Sequence, residues 1–270
     1  MSAVIKRLAI AIATVSAVMA AAAPGAQAQK ASECTKLEIC YCVTAAVKAT
    51  IDKNVASFRE QIATQRQAGK AIGYLSVPLS GIGGGVYHIN AEVAASVKSA
   101  VEKRFGPDQV WILNPAVVEA NIPNGTGADY MLMWSSVLEG TDGLGAIDFA
   151  YFVGPLDFAR HFGLDGQGDM AKLEQYFDKR AKSDADLQKA VEKGLTRSAF
   201  RNFYALKAST NISRGAHDEW NIVRALNERR RANEKFGIGN QIATLFDGHG
   251  VSVADFEAAT SHGYVGRCAN

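Results

Sequence analysis

Apolar residues recur along this chain at two spacings, and the alternation between them lays out a fold. Val43, Val47, Ile51, Val55, Phe58 and Ile62 return every three or four residues, the period of an amphipathic helix. They predict a helix over 43–67 that ends near Gly69. The pattern then shortens. Residues 72–77 form an apolar run between Gly69 and Pro78 and read as a buried strand. A glycine-rich turn follows at 80–85. Asn90 is placed to cap the next helix, whose apolar face is Val93, Val97, Val101 and Phe105, with Lys103, Arg104 and Gly106 at its end. Residues 110–113 are a second strand, stopped by Asn114-Pro115.

The same reading continues to the end of the chain. A helix is expected over 129–139, its Met133 and Trp134 stripe facing the core, and a third strand over 147–153 before Gly154-Pro155. Helices follow at about 169–180, 183–193, 196–208 and 213–231, the second of them started by a capping box at 183–186. A fourth strand is expected at 241–246, and Ser252 caps a last short helix. Short buried strands alternating with helices predict an α/β class: a three-layer, Rossmann-like fold with a mostly parallel sheet of about four to five strands. Residues 29–68 would be an N-terminal helical segment tied by disulfides. Residues 69–270 would be the α/β domain, with a helical insertion or cap at about 157–212. Ligands in such folds sit at the carboxyl ends of strands. That directs attention to the loop after Val77, to Asn114-Pro115 and to 154–157.

The first 28 residues follow another logic. Lys6-Arg7, an apolar stretch to Ala23 and the small-x-small Ala26-Gln27-Ala28 form the three parts of a secretory signal peptide, with cleavage expected before Gln29. The apolar core is short for a membrane span. The chain is therefore expected to be exported, to a periplasm or the extracellular space, with no stable membrane insertion. Removing 1–28 takes away two of the 29 basic residues and none of the 27 acidic ones, leaving a formally neutral protein. A neutral chain gives no electrostatic case for a nucleic-acid partner. Arg229-Arg230-Arg231, the one dense basic cluster, reads as a solvated helix end that complements the dipole, with a phosphate site as the alternative. Cys34, Cys40, Cys42 and Cys268 predict two disulfides in an oxidising compartment. Cys40 and Cys42 are poorly spaced for each other, so Cys34 would pair with one of them and Cys268 with the other. With no CxxC and no nearby His, no metal site is expected.

Two segments carry candidate chemistry. In the turn, Ser80, Gly81, Gly83, Gly84 and Gly85 could aim backbone N–H groups at a small-molecule ligand, with His88 in reach and Asn114 at the next strand end; the plain alternative is a surface turn. The second segment is 213–220, where His217, Asp218 and Glu219 crowd a helix start beside Trp220. A carboxylate there, aimed into an apolar pocket walled by Trp220, could act as nucleophile or general base. The plain alternative is that these side chains only satisfy the helix dipole. Asp142 or Asp148 could partner Glu219 in acid/base work. His161, His249 and His262 read as packing, turn and helix-end residues.

Gly215, Ala216 and Glu219 resemble the Gly-Thr-x-x-Glu signature of the nucleoside 2-deoxyribosyltransferase-like group of Rossmann-type proteins, with Ala in place of Thr and Asn221 where a glycine is usual. Residues 74–79 similarly resemble the first strand and proline-bearing loop of that group. The resemblance implies that Glu219 attacks or stabilises an anomeric sugar carbon, and that the 80–85 loop and Asp129 line the sugar or base pocket. The expected function is an exported hydrolase or transferase of glycosidic bonds acting on a nucleoside- or nucleotide-like small molecule, without a cofactor. The alternative is a non-enzymatic exported protein that binds a small molecule or a partner.

Overall fold

The computed structural model describes residues 29–208, 213–233, 240–252, 254–255 and 260–269. The expected signal peptide at 1–28 lies outside them, as does most of the helix expected after Ser252.

Five strands form the main sheet: β3 (Ala71–Ser76), β4 (Val110–Leu113), β5 (Phe149–Phe152), β6 (Ala243–Phe246) and β7 (His249–Gly250), in the order β4-β3-β5-β6-β7. β3 to β6 run parallel and β7 turns back antiparallel on β6. Side chains of β3 alternate between two cores. Ile72 and Tyr74 join α1 (Lys48–Gln67), α3 (Gly127–Glu139) and α8 (Arg214–Ala232) on one face. Leu75 and Val77 join α2 (Tyr87–Phe105) and a helical block on the other. This is the α/β Rossmann-like three-layer arrangement expected from the alternation of short strands and helices. The crossover from β3 to β4 uses α2, whereas that from β4 to β5 runs back past β3 on the opposite face through α3. Opposite direction on opposite faces gives both the same hand. The loops after β3 and β4 thus diverge, and a crevice opens above their carboxyl ends.

The block consists of α4 (Pro155–Phe162), α5 (Asp169–Arg180), α6 (Ala185–Glu192), α7 (Arg197–Asn202) and a π-helical turn at Phe203–Lys207. It docks through Phe158, Leu173, Phe177, Phe200, Phe203 and Tyr204. α5 has the expected bounds. α4 differs from expectation: 154–157 is not an open strand-end loop but the start of a helix, with Pro155 at its first position, where its missing N–H costs nothing.

Other boundaries differ for local reasons. The first helix starts at Lys48, not at 43, because Val43 belongs to β2 (Cys40–Thr44), paired antiparallel with β1 (Lys30–Cys34). The segment 29–68 is therefore a hairpin followed by a helix. Asn90 is not a cap: α2 begins at Tyr87, and the buried Asn90 side chain accepts a hydrogen bond from Tyr204 Oη at 2.8 Å. At 183–186 the cap is Asp184, whose carboxylate accepts from the N–H groups of Asp186 and Leu187.

Two disulfides complete the frame. Cys34–Cys40 closes the hairpin upon itself, and Cys42–Cys268 fastens it to the C-terminal segment. That segment also pairs with β2 through Tyr41 and Val265, and Gly266 N–H donates to Cys40 O. The disulfides fit an oxidising environment. Among the described residues no helix is long and apolar enough to cross a membrane.

Candidate functional site

A cavity of about 650 Å³ occupies the crevice above β3 and β4. Its floor and walls come from the strand-end residues Val77 and Pro115, from α3 through Tyr130 and Trp134, from the start of α8, and from Tyr264. α3 and α8 both point their N-terminal ends at it. Thr126 and Asp129 form a capping box on α3, and Ser213 caps α8.

Glu219 is the one carboxyl lining this cavity among the described residues, and no Lys, Arg or His lines it. It stands on the second turn of α8, directed across to β3. Tyr74 and Ser76, two residues apart and hence on the same face of β3, both reach it. Tyr74 Oη donates to Oε1 at 2.5 Å and Ser76 Oγ donates to Oε2 at 2.5 Å. Glu219 is only 5% exposed. Burial pushes its pKa up to about 7, against the two hydrogen bonds, which favour the charged form; the Asp218 charge adds to the rise. Near neutral pH a carboxyl of that kind offers a protonated form suited to a general acid and an ionised form suited to a base or nucleophile. Burial and the Glu219 charge together hold the Tyr74 hydroxyl protonated, so it stays a donor.

The other acidic and basic candidates point elsewhere. Asp218, next in sequence, projects about 100° around the helix. Its carboxylate accepts from Gly263 N–H at 2.7 Å and Tyr264 N–H at 2.6 Å, so it anchors the C-terminal segment. His217 joins the same anchor through Nδ1 and Ser261 Oγ at 2.8 Å. Trp220 does not wall the cavity; it packs on Phe152, with ring centroids 4.9 Å apart. Trp134 takes that place. Asn221, standing where the resembling family has glycine, clasps Thr260 through both ends of its amide.

The glycine turn divides. Ser80 lines the cavity with Glu219, but Gly81, Gly83, Gly84 and Gly85 do not. Gly81 and Gly83 are exposed, whereas Gly84 and Gly85 are packed beneath the helical block. A Cβ on Gly84 would sit 2.3 Å from Ala199 O, and one on Gly85 2.8 Å from the Phe203 ring. Their need for glycine is thus a close approach to neighbours rather than to a ligand. His88 pairs with Asp184 at 2.7 Å on the block side. Asn114 is buried and its Oδ1 accepts from Ala116 N–H at 3.0 Å, a local turn of the kind Asn favours. Asp129 is also structural. Burial raises its pKa, but hydrogen bonds from Thr126 and Thr44 outweigh that and hold it below the usual value. It ties α3 to β2. Asp142 and Asp148 lie at the amino end of β5, away from Glu219, where Asp148 accepts from Ile72 N–H and pairs with Arg66.

Sequence reasoning missed Tyr74, Ser76 and the aromatic walls. Tyr74 and Ser76 looked like strand core, and a single alternation within 72–77 was the only available sign that both share one face. Among the described residues no group of three or more His, Cys, Asp or Glu side chains is arranged to hold a metal ion. No protein-family model matches the chain, and neither a curated protein nor a solved structure matches it.

Proposed function

We propose that this chain is an exported enzyme that cleaves or transfers the glycosidic bond of a nucleoside-like molecule, with Glu219 at the reacting centre. The observation that carries this reading is Glu219 itself: a buried carboxyl with a pKa near 7, fixed by Tyr74 and Ser76, opening on a cavity with aromatic walls. The Gly215-Ala216-x-x-Glu219 resemblance supports the same assignment. Aromatic rings suit a flat base. The absence of Lys and Arg from the described lining favours an unphosphorylated ligand over a nucleotide. The disulfides and the pattern of 1–28 support export through a cleaved signal peptide.

In the proposed reaction an ionised Glu219 oxygen bonds to the anomeric carbon as the bond from that carbon to the base nitrogen breaks. The departing base takes a proton from water. The hydroxide so formed attacks the anomeric carbon of the glycosyl ester, releasing the sugar and restoring the carboxylate. These steps complete hydrolysis; a second base in place of water gives transfer. Incubation with a panel of nucleosides, followed by chromatography of released bases, tests the reading. Turnover by the wild type and its loss in Glu219→Gln is expected. Equal turnover in that variant rejects the role of Glu219.

A second reading is binding without chemistry. It is favoured by Asp218 and His217 facing away, which leaves Glu219 without a second acid or base in the described lining. Ligand-induced thermal stabilisation with no product would select it.

A further inference from the structure

A second cavity of about 650 Å³ lies at the opposite end of the sheet, at the amino ends of β5 and β6. Its lining includes three guanidinium groups, Arg59, Arg66 and Arg230, against two carboxylates, Asp142 and Asp148. Arg59 and Arg66 are seven residues apart on α1 and so share one face of it. The carboxyl-terminal ends of α1, α3 and α8 meet here, and their carbonyl dipoles favour cations. That accounts for part of the arrangement. Arg230, buried in the middle of the triple-arginine run rather than solvated, donates to the carbonyls of Leu144, Gly145, Ile147 and Asn240. Arg59 Nη2 donates to Ser136 O and Gly140 O, and Arg66 Nη2 donates to Ala146 O.

It does not account for the donors that remain. Arg59 Nη1 has no acceptor among the described residues, and its buried Nε has none either. Arg66 is half exposed and has only its Nη1–Asp148 contact at 3.2 Å beside the carbonyl bond. A guanidinium held at one corner, with its other donors unspent, is pre-organised for a planar or tetrahedral oxyanion. Asp142 and Asp148 can at the same time accept from hydroxyl groups. The volume suits a small metabolite rather than a lone ion.

We infer that this cavity is a binding site for a small polyhydroxylated oxyanion, gripped by Arg59 and Arg66 and oriented by Asp142 and Asp148. The site is separated from Glu219 by the length of the sheet, and it stands whether or not the cavity at Glu219 is catalytic.

The test is an amide NMR titration of the full secreted protein with three probes: D-ribose 5-phosphate, citrate and D-ribose. Saturable shifts at Gly145 and Ala146 are expected with a charged probe and not with ribose. Saturation by the phosphate or by the citrate identifies which oxyanion the site takes. Arg66→Gln, at a half-exposed position, should weaken binding about tenfold, and Asp142→Asn, which leaves a poorer acceptor for the ligand's hydroxyl groups, should weaken it severalfold. Arg59→Gln should abolish binding; if that variant does not fold, the other two decide. No saturable shift with either charged probe at millimolar concentration, or an affinity unchanged by both Arg66→Gln and Asp142→Asn, overturns the inference.

Discussion

Tyr74 on β3 donates its hydroxyl proton to Glu219 on α8 across 2.5 Å, within a fully buried pair drawn from elements 145 residues apart in sequence. The bond favours the charged carboxylate, in opposition to burial. Removing it in Tyr74→Phe is therefore expected to raise the Glu219 pKa beyond about 7. Ser76→Ala should act in the same direction. Carbon-13 NMR of the Glu219 carboxyl reads the midpoint directly. A midpoint that falls or stays fixed in both variants contradicts this account of the site.

Glu219 also ties stability to pH. Its ordinary value is 4.5 and its folded value about 7, so between these the folded protein holds a proton the unfolded chain has released. The Glu219 contribution to stability should be fullest below pH 4.5, fall as the pH rises to about 7 and then level off, by on the order of 3 kcal/mol. Asp157, raised to about 6 by burial and by the neighbouring Asp247 charge, slopes the same way. The difference between wild type and Glu219→Gln isolates the first contribution. Denaturant unfolding across this range should show Glu219→Gln gaining relative stability as the pH rises; a flat difference would rule the linkage out.

Asp218 and Glu219 should separate cleanly by phenotype. Asp218→Ala leaves the buried N–H of Gly263 and the partly buried N–H of Tyr264 without their acceptor. We expect a loss of roughly 2–4 kcal/mol in urea unfolding, with ligand binding per folded molecule retained. Loss of binding at unchanged stability would mean that Asp218 belongs to the site.

The two disulfides should contribute unequally. Cys42–Cys268 spans 226 residues and Cys34–Cys40 only six. Loop-closure entropy gives about 5 kcal/mol for the first and about 2 kcal/mol for the second, as upper values. Paired Cys→Ser replacements compared by denaturant midpoint should rank in that order, and the reverse ranking would show that the hairpin bridge dominates.

Much of the fold could be read directly from residue order. The strands at β3 and β4 and the bounds of α5 follow from runs and periods that depend only on nearby residues. Val43 went astray because its helical spacing with Val47 competes with the alternation of Cys40-Tyr41-Cys42-Val43-Thr44, and pairing with a partner strand settles that contest. Asn90 has a capping residue's chemistry but spends it on Tyr204, 114 residues away.

The sequence alone determined the class of fold and the presence of a carboxylate-rich helix start at 217–219. Local period and composition carry that information, because helix and strand formation are decided over a few residues. Only the tertiary structure decided which carboxylate faces the cavity. His217, Asp218 and Glu219 are equivalent by composition, and the rotation of α8 against β3 turns Glu219 toward Tyr74, Ser76 and the cavity while directing Asp218 and His217 to the C-terminal segment. The raised pKa of Glu219 follows from the same packing, since desolvation belongs to a position in the folded molecule and not to a residue type.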